Sequence, residues 1–278
     1  MEYAFFGDLL RYLQERKHLA ELAATVNDLD SRTDLVGDRE VTATAEPEAT
    51  HVSATALTRL AKEAAEALAY LAKRRYVHRD VRAANCLIDA KRTLKLADFG
   101  LARATSSEHD TKEDKSCDLT HAEESYAYIC RRRGVFPVPW MAPESLTSGV
   151  FSAASDVWAL GVLMLELATL GARPYGAWRP PKVLRFVRDG GSPPLPRDAS
   201  YHFCEVTAMC WERQPTRRAS AEAVQRYFED HPRALRPALR PAVLAVADPD
   251  DVDDATDSGF GERDFDDWLR NERHNSTA

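Results

Sequence analysis

The sequence lacks the features that mark several large classes of protein. Its five cysteines include no C-x-x-C pair, so neither a disulfide framework nor a zinc site is predicted, and a reducing, cytoplasmic setting is favoured. No apolar run approaches the roughly 20 residues of a membrane span. The N-terminus has no basic stretch of the kind that begins a signal peptide. We therefore expect no membrane segment in this chain.

Acidic residues outnumber basic ones, 44 to 37, and they are concentrated near residue 278. The formal net charge is −7, and residues 248–278 hold eleven acidic residues against three arginines, a local charge of −8. The remaining 247 residues are close to neutral and give no basic footprint for nucleic acid, so no nucleic-acid partner is expected.

Apolar periodicity predicts a mainly α-helical chain with one small β-hairpin. The clearest helix is marked by a continuous apolar stripe from Leu57 to Leu71. An almost wholly apolar segment at 156–169 predicts a helix buried in the domain. The hairpin is predicted from short apolar runs at 86–88 and 94–97. Further helices are predicted at about 8–17, 181–189, 200–210 and 220–229.

Three regions have little periodicity. Residues 18–53 are rich in Thr, Ala and Asp and predict an insert or long loop. The polar stretch at 105–133 predicts a mobile loop. Two Arg-Pro steps and the acidic run predict a disordered tail at 231–278.

Three short motifs follow one another in the chain. They are H-R-D-V-R-A-A-N at residues 78–85, D-F-G at 98–100 and A-P-E at 142–144. This set resembles the signature of protein kinases. The resemblance runs from residue 1 to about 229 and implies the large, C-terminal lobe of a kinase at 1–230. It also implies that the activation segment spans 98–144.

The chemistry of phosphoryl transfer fits these residues. The reaction needs a positioned nucleophile and cations that neutralise phosphate charge. Asp80 can orient a substrate hydroxyl and accept its proton, and Arg82 can place a cation beside the transferred group. Asn85 and Asp98 offer the hard oxygen ligands that Mg²⁺ prefers. We therefore predict that ATP and Mg²⁺ are used here.

The kinase class depends on a few positions. The Arg82-Ala83-Ala84 order resembles the catalytic loop of Src-type tyrosine kinases. The stretch from Phe136 to Ser145, with Pro137 and Trp140, resembles the shelf on which tyrosine kinases hold a substrate phenol. The resemblance implies protein substrates phosphorylated on tyrosine. A serine/threonine or dual-specificity kinase is the alternative within the family.

The resemblance also implies structural roles. Asp156 would hold the backbone of the catalytic loop, and Arg218 would pair with Glu144. His78 and Phe99 would be core residues in a stacked spine, with Gly100 completing D-F-G.

The first residues resemble the hinge between the two kinase lobes. Glu2 and Ala4 would present backbone groups to adenine, and Leu87 would form the floor of the adenine pocket. The glycine-rich loop and strand lysine that precede the hinge in kinases are not in this sequence. We therefore expect a small lobe upstream in a longer parent, and little activity from the chain alone. A non-catalytic binding or decoy module is the second hypothesis.

These patterns do not decide whether the longer parent protein is a receptor kinase or a cytoplasmic kinase. An insert after the first helix resembles growth-factor receptor kinases, whereas the Arg82-Ala83-Ala84 order resembles cytoplasmic kinases. A cytoplasmic location fits both. Pro139 stands where tyrosine kinases usually have Lys or Arg, which affects the shelf.

A phosphorylation switch is predicted at Tyr128, with Tyr126 as the alternative. Tyr128 lies nine residues before Pro137, the spacing at which tyrosine kinases carry an activation-loop tyrosine. Arg79 and Arg103 are the cations expected to receive its phosphate, with the arginines at 131–133 as nearer competitors.

Overall fold

The computed structural model describes residues 4–17, 53–105, 127–130 and 136–238. The predicted insert up to residue 52, Glu2, Tyr126 and residues 239–278 lie outside the described residues. Residues 106–126 and 131–135 of the predicted activation segment lie outside them as well.

Helices dominate the described part of the chain. They are α1 (9–17), α2 (Ala54–Lys73), α3 (Pro143–Ser148), α4 (Ala153–Ala168), α5 (Pro180–Arg188), α6 (Tyr201–Cys210) and α7 (Ala221–Asp230). Short 3₁₀ turns occur at Ala83–Asn85, Phe99–Leu101 and Val138–Trp140. The strands are β1 (Tyr76–Val77), β2 (Cys86–Ile88), β3 (Leu94–Leu96), β4 (Arg103–Ala104), β5 (Ala127–Ile129) and β6 (Val150–Ser152). The predicted class, mainly α with a small hairpin, is confirmed.

Helix α2 begins and ends where its local chemistry requires. The Ser53 hydroxyl accepts the Ala56 backbone N–H and caps the first turn. The helix ends at Lys73 with Arg74 as its C-cap, and Arg75 adopts a left-handed φ of 59° that the helix cannot continue through. The predicted apolar stripe, including Leu57 and Leu68, is buried.

Helix α4 forms the centre of the lobe. Its N-terminus carries a reciprocal capping pair between Ser152 and Ser155. The helix is buried on nearly all sides, as predicted, because α2, α6 and α7 pack on one side and the 138–142 turn with α5 on the other. A Cβ on Gly161 would stand only 2.5 Å from Trp211 Nε1, so glycine permits the close approach of α6 and its C-cap.

Three two-stranded antiparallel pairs lie on this helical body. The predicted hairpin pairs β2 with β3, with Cys86 opposite Leu96. The other pairs join distant segments: β1 with β4 and β5 with β6. These two pairs escaped sequence analysis because two- and three-residue strands have too few positions for a period.

The first eight residues of the predicted tail pack against the lobe. Leu235 is fully buried, its backbone N–H donates to Thr58 Oγ1 at 3.0 Å, and Ser200 Oγ donates to the Ala234 carbonyl at 2.6 Å. The Ala238 N–H donates to the carbonyl of Ala168 at the end of α4. Residues 231–238 therefore belong to the packed body.

Candidate active site

A buried carboxylate fixes the start of the 78–85 loop. Asp156, in the first turn of α4, accepts the backbone N–H of His78 at 2.7 Å and that of Arg79 at 2.9 Å. Arg79 has a left-handed φ of 72°, which is costly for a residue with a side chain. Burial raises the pKa of Asp156 to about 7, while the two N–H donors and the Arg79 charge act in the opposite direction. The two hydrogen bonds hold this strained turn in place.

His78 carries a defined tautomer. The Asp80 backbone N–H donates to Nδ1 at 3.3 Å, so Nε2 bears the proton and donates to the Ala97 carbonyl at 3.0 Å. Burial lowers the pKa of this imidazole, which favours the same neutral form. The ring joins the 78–85 loop to the residue just before Asp98.

Phe99 departs from the prediction that it is a core residue. Its ring meets His78 edge-on with centroids 5.0 Å apart, yet its side chain is 51% exposed. The reason is that the described residues cover one side of the ring only. His78, by contrast, is fully buried, as the sequence predicts for a core residue.

Asp80 lies at the end of the clamped turn and is almost buried. Its Oδ1 lies 3.0 Å from Nε of Arg82, although the guanidinium N–H does not point at the oxygen, so the contact is an ion pair and not an aligned hydrogen bond. The Asp80 carbonyl accepts the side-chain amide of Asn85 at 2.9 Å. Catalytic candidates from three positions are thus brought together in one loop.

The hairpin brings Asp98 to the same loop. The Ala97 N–H donates to the Asn85 carbonyl at 2.9 Å, so Asp98 follows directly after the last hydrogen bond of the hairpin. Asp98 has a left-handed φ of 56° and is exposed, and its Oδ1 accepts the Gly100 N–H at 3.3 Å.

Asn85 and Asp98 fit a magnesium ion that shares its coordination with a nucleotide. The Asn85 amide nitrogen is bound to the Asp80 carbonyl, which leaves the amide oxygen as the group available to a cation. In the described part of the chain, no three His, Cys, Asp or Glu side chains gather as a self-sufficient metal cage. Mg²⁺ needs no such cage, since it is commonly held by one or two protein oxygens together with phosphates and water.

The sequence analysis missed Glu166, a second buried carboxylate on α4. Its Oε2 accepts the backbone N–H of Ala83 at 2.9 Å and the indole N–H of Trp140 at 3.0 Å. Burial raises the pKa of Glu166 to about 7, against the lowering effects of these two donors and of Arg82. The sequence signal that could have revealed Glu166 is a single carboxylate near the end of an otherwise apolar helix.

The predicted substrate shelf lies on the other side of Glu166. Pro137 and Trp140 bound the 3₁₀ turn, and the Arg82 guanidinium lies 5.7 Å from the centroid of the Trp140 ring. Arg218, which is buried, forms a two-pronged ion pair with Glu144 at 2.6 and 3.0 Å. This pair fastens α3, which follows the shelf, to the segment before α7.

Of the predicted nucleotide residues, Ala4 and Leu87 are described, and Leu87 lies in β2. The Phe6 N–H donates to the Ile88 carbonyl, and the Ile88 N–H donates to the Gly7 carbonyl, both at 3.0 Å. Ala4 and Leu87 are both half-buried on this pairing. The structure thus places residues 6 and 7 beside the hairpin, whose first strand directly follows the loop that carries Asp80.

Arg79 connects the catalytic loop with the predicted switch. Its guanidinium lies 4.7 Å from the centroid of the Tyr128 ring and 4.3 Å from that of Phe151, and it donates to the sulfur of Cys130 at 3.2 Å. Arg103 donates instead to the carbonyls of Gly100 and Ala102. Of the two predicted phosphate-binding arginines, Arg79 is the one in ring contact with Tyr128.

The helical lobe, the clamped loop and the hairpin together define the large lobe of a protein kinase. A family model described as protein tyrosine and serine/threonine kinase matches residues 1–228. The chain belongs to this family, and the resemblance read from the sequence is confirmed.

Similar proteins include two that are named as receptors for insulin-related or insulin-like peptides and one that is named as an insulin receptor-related protein. The chain is 35% identical over 69% of its length to a molluscan receptor named for insulin-related peptides from Lymnaea stagnalis. It is 34% identical over 66% of its length to the insulin receptor-related protein of Cavia porcellus, and 37% identical over 57% to an insulin-like peptide receptor of Hydra vulgaris. The matches cover 10%, 13% and 10% of those relatives, so the chain spans about a tenth of their length.

None of the helices in the described ranges has the length and apolarity needed to cross a membrane.

Proposed function

We propose that this chain is the catalytic large lobe of an ATP-dependent protein-tyrosine kinase. One observation carries the proposal: two buried carboxylates of α4, Asp156 and Glu166, hold the backbone of the 78–85 loop at both ends. Positioning and electrostatics supply most of the catalysis in phosphoryl transfer. A loop fixed in this way supports Asp80 as a positioned base.

Three residues of the loop, together with Asp98, have a proposed part in the reaction. Asp80 orients the acceptor hydroxyl and takes its proton, and Arg82 supplies a cation beside the transferred group. Asn85 and Asp98 hold Mg²⁺ through their side-chain oxygens. When bound, Mg·ATP supplies the phosphoryl group and the metal charge that neutralises it. Ala4, Leu87 and, outside the described residues, Glu2 line the adenine site.

The preference for tyrosine is proposed from the shelf. Glu166 binds Trp140 and the Ala83 backbone through one oxygen, which sets a fixed relation between the shelf and the catalytic loop. A shelf bounded by Pro137 and Trp140 can support a flat phenol that reaches Asp80. The receptor names of the relatives favour a receptor parent, with this lobe on its cytoplasmic side, over a cytoplasmic kinase.

The test is phosphotransfer by the chain joined to a kinase small lobe. With Mg·ATP and a protein acceptor, we expect phosphotyrosine in the acid hydrolysate. Asp80→Asn should abolish most of it, whereas Asp230→Asn, a change to an exposed carboxylate at the end of α7, should not. Phosphoserine or phosphothreonine as the main product would favour the serine/threonine alternative. Nucleotide binding without any transfer would favour the binding module.

A further inference from the structure

The chain carries a strongly basic surface beside the shelf. Residues 171–188, which comprise α5 and the loop before it, contain five cationic residues and no acidic one. We call these five residues the basic face: Arg173, Arg179, Lys182, Arg185 and Arg188. Arg173, Arg179 and Arg185 are exposed.

The position of the basic face is fixed by the opposite side of α5. Val183, Leu184 and Val187 are buried in the same cluster as Val138 and Met141. The helix is therefore held against the turn that forms the shelf, with its charged side chains turned away from the core. Anything bound to the basic face lies next to the shelf.

Two exposed arginines of the basic face are available to an anionic partner. Asp189 lies 3.5 Å from Arg188, whereas Arg173 and Arg185 form no ion pair with any described residue. The face also presents aromatic surface, since Phe186 is 37% exposed and its ring centroid lies 5.2 Å from that of Trp178. Clustered like charges attract an anionic partner and repel one another until it binds.

The chain contains a segment of the complementary charge. Residues 248–262 hold seven carboxylates and no lysine or arginine, and Phe260 lies among them. The path to it starts at the end of α4, where the Ala238 N–H donates to the Ala168 carbonyl, five residues before Arg173. Ten residues, 239–248, can reach about 33 Å when extended, and the nine residues of α5 are only about 13 Å long.

We propose that the acidic segment 248–262 docks on the basic face of the same chain. Its carboxylates pair with the cations of α5 and of the preceding loop, and Phe260 contacts Trp178 and Phe186. On the proposed kinase function, on which this consequence alone rests, the docked segment competes with protein substrates that approach the shelf.

Zero-length carbodiimide crosslinking of the full chain tests the proposal without ATP. The reagent joins a carboxylate to an amine in contact with it, and Lys182 is the only lysine of the basic face. Peptide mass spectrometry should find Lys182 joined to residues of 248–262 in preference to Lys62, Lys73, Lys91 and Lys95, which lie on α2 and the hairpin. Higher salt should reduce this crosslink, because about 1 M salt shortens the Debye length to about 3 Å.

Matched variants decide the outcome. Arg173→Glu with Arg185→Glu should remove the Lys182 crosslink, while Arg226→Glu on α7 should leave it; circular dichroism checks that each variant is folded. Neutralising Asp251, Asp253 and Asp254 to Asn should weaken this crosslink more than neutralising Asp264, Asp266 and Asp267.

Two results would overturn the proposal: crosslinks spread evenly over the lysines, and a Lys182 crosslink that the double variant leaves unaffected. So would crosslinks between ¹⁴N- and ¹⁵N-labelled copies, which would make a second chain the donor. A kinase assay that fails would leave these readouts unchanged.

Discussion

The guanidinium of Arg79 lies 4.7 Å from the centroid of the Tyr128 ring. Arg79 is buried and follows the residue that begins the catalytic loop, so we expect a group attached to Tyr128 to act on the turn that carries Asp80. The two residues are 49 positions apart in sequence, and the pairing of β5 with β6 brings them together.

The first prediction concerns this contact. Phosphorylation adds about −1.5 to −2 charges to Tyr128, and a charge-assisted pair with Arg79 would stabilise the ordered segment by roughly 1.5–3 kcal/mol. In the chain joined to a small lobe, Tyr128→Phe should remove the activation that preincubation with ATP produces. Tyr70→Phe, at an exposed tyrosine of α2, is the control. Equal activation of parent and Tyr128→Phe would leave Tyr126 as the candidate switch.

The second prediction separates the base from the metal ligand. In the same two-lobed protein, Asp80→Asn should lower kcat by roughly 10²–10⁴ with little change in nucleotide affinity, because only the base is lost. Asp98→Asn should instead weaken the binding of Mg·ATP, because a charged ligand becomes neutral. Steady-state kinetics with varied Mg²⁺ measure both effects. An equal loss of nucleotide binding in the two variants would contradict the assigned roles.

The third prediction concerns the clamp at the start of the loop. Asp156→Asn replaces one acceptor oxygen by an amide nitrogen, so either the His78 or the Arg79 N–H faces another donor. A buried N–H without an acceptor costs about 1–3 kcal/mol. Urea denaturation should show a loss of that size, while Asp189→Asn, at an exposed carboxylate, should change the free energy of unfolding by less than about 0.5 kcal/mol. Equal stabilities would show that the turn at Arg79 does not depend on the clamp.

The fourth prediction is a pH dependence that arises from Glu166. Burial raises its pKa to about 7 in the folded lobe, above the roughly 4.3 of an unfolded chain, so between these values the folded state holds the proton more tightly. The stability that this group contributes is complete below the unfolded pKa and is lost as the pH rises through about 7. Glu166→Gln keeps an oxygen for the Ala83 and Trp140 donors and cannot titrate. The free energy of unfolding of the variant, minus that of the parent, should therefore increase from pH 5 to pH 7. The increase should be at most about 1.4 kcal/mol per pH unit. A difference that stays constant over this range would mean that Glu166 is charged throughout and stabilised by Arg82.

Several elements could be predicted because their signals are local. The stripe of α2, the apolar α4 and the two runs of the hairpin each repeat over enough positions to be recognised. The fixed spacing of the 78–85 loop and D-F-G also lies within one short stretch of chain. The short strands β1, β4, β5 and β6 could not be found in this way, since their pairing depends on segments that meet only in the folded lobe.

The sequence by itself determined the mainly helical class and the kinase family, and it supplied the residues that we propose for phosphate chemistry. Tertiary structure decided which groups support those residues. Glu166 accepts hydrogen bonds from Ala83 and Trp140 because α4 packs against both segments. Arg79 contacts the Tyr128 ring because β5 pairs with β6. Tertiary structure also decided that residues 231–238 are packed, because the Leu235 N–H donates to Thr58 of α2. These relations depend on burial and on contacts between distant segments, whereas a motif records only neighbours along the chain.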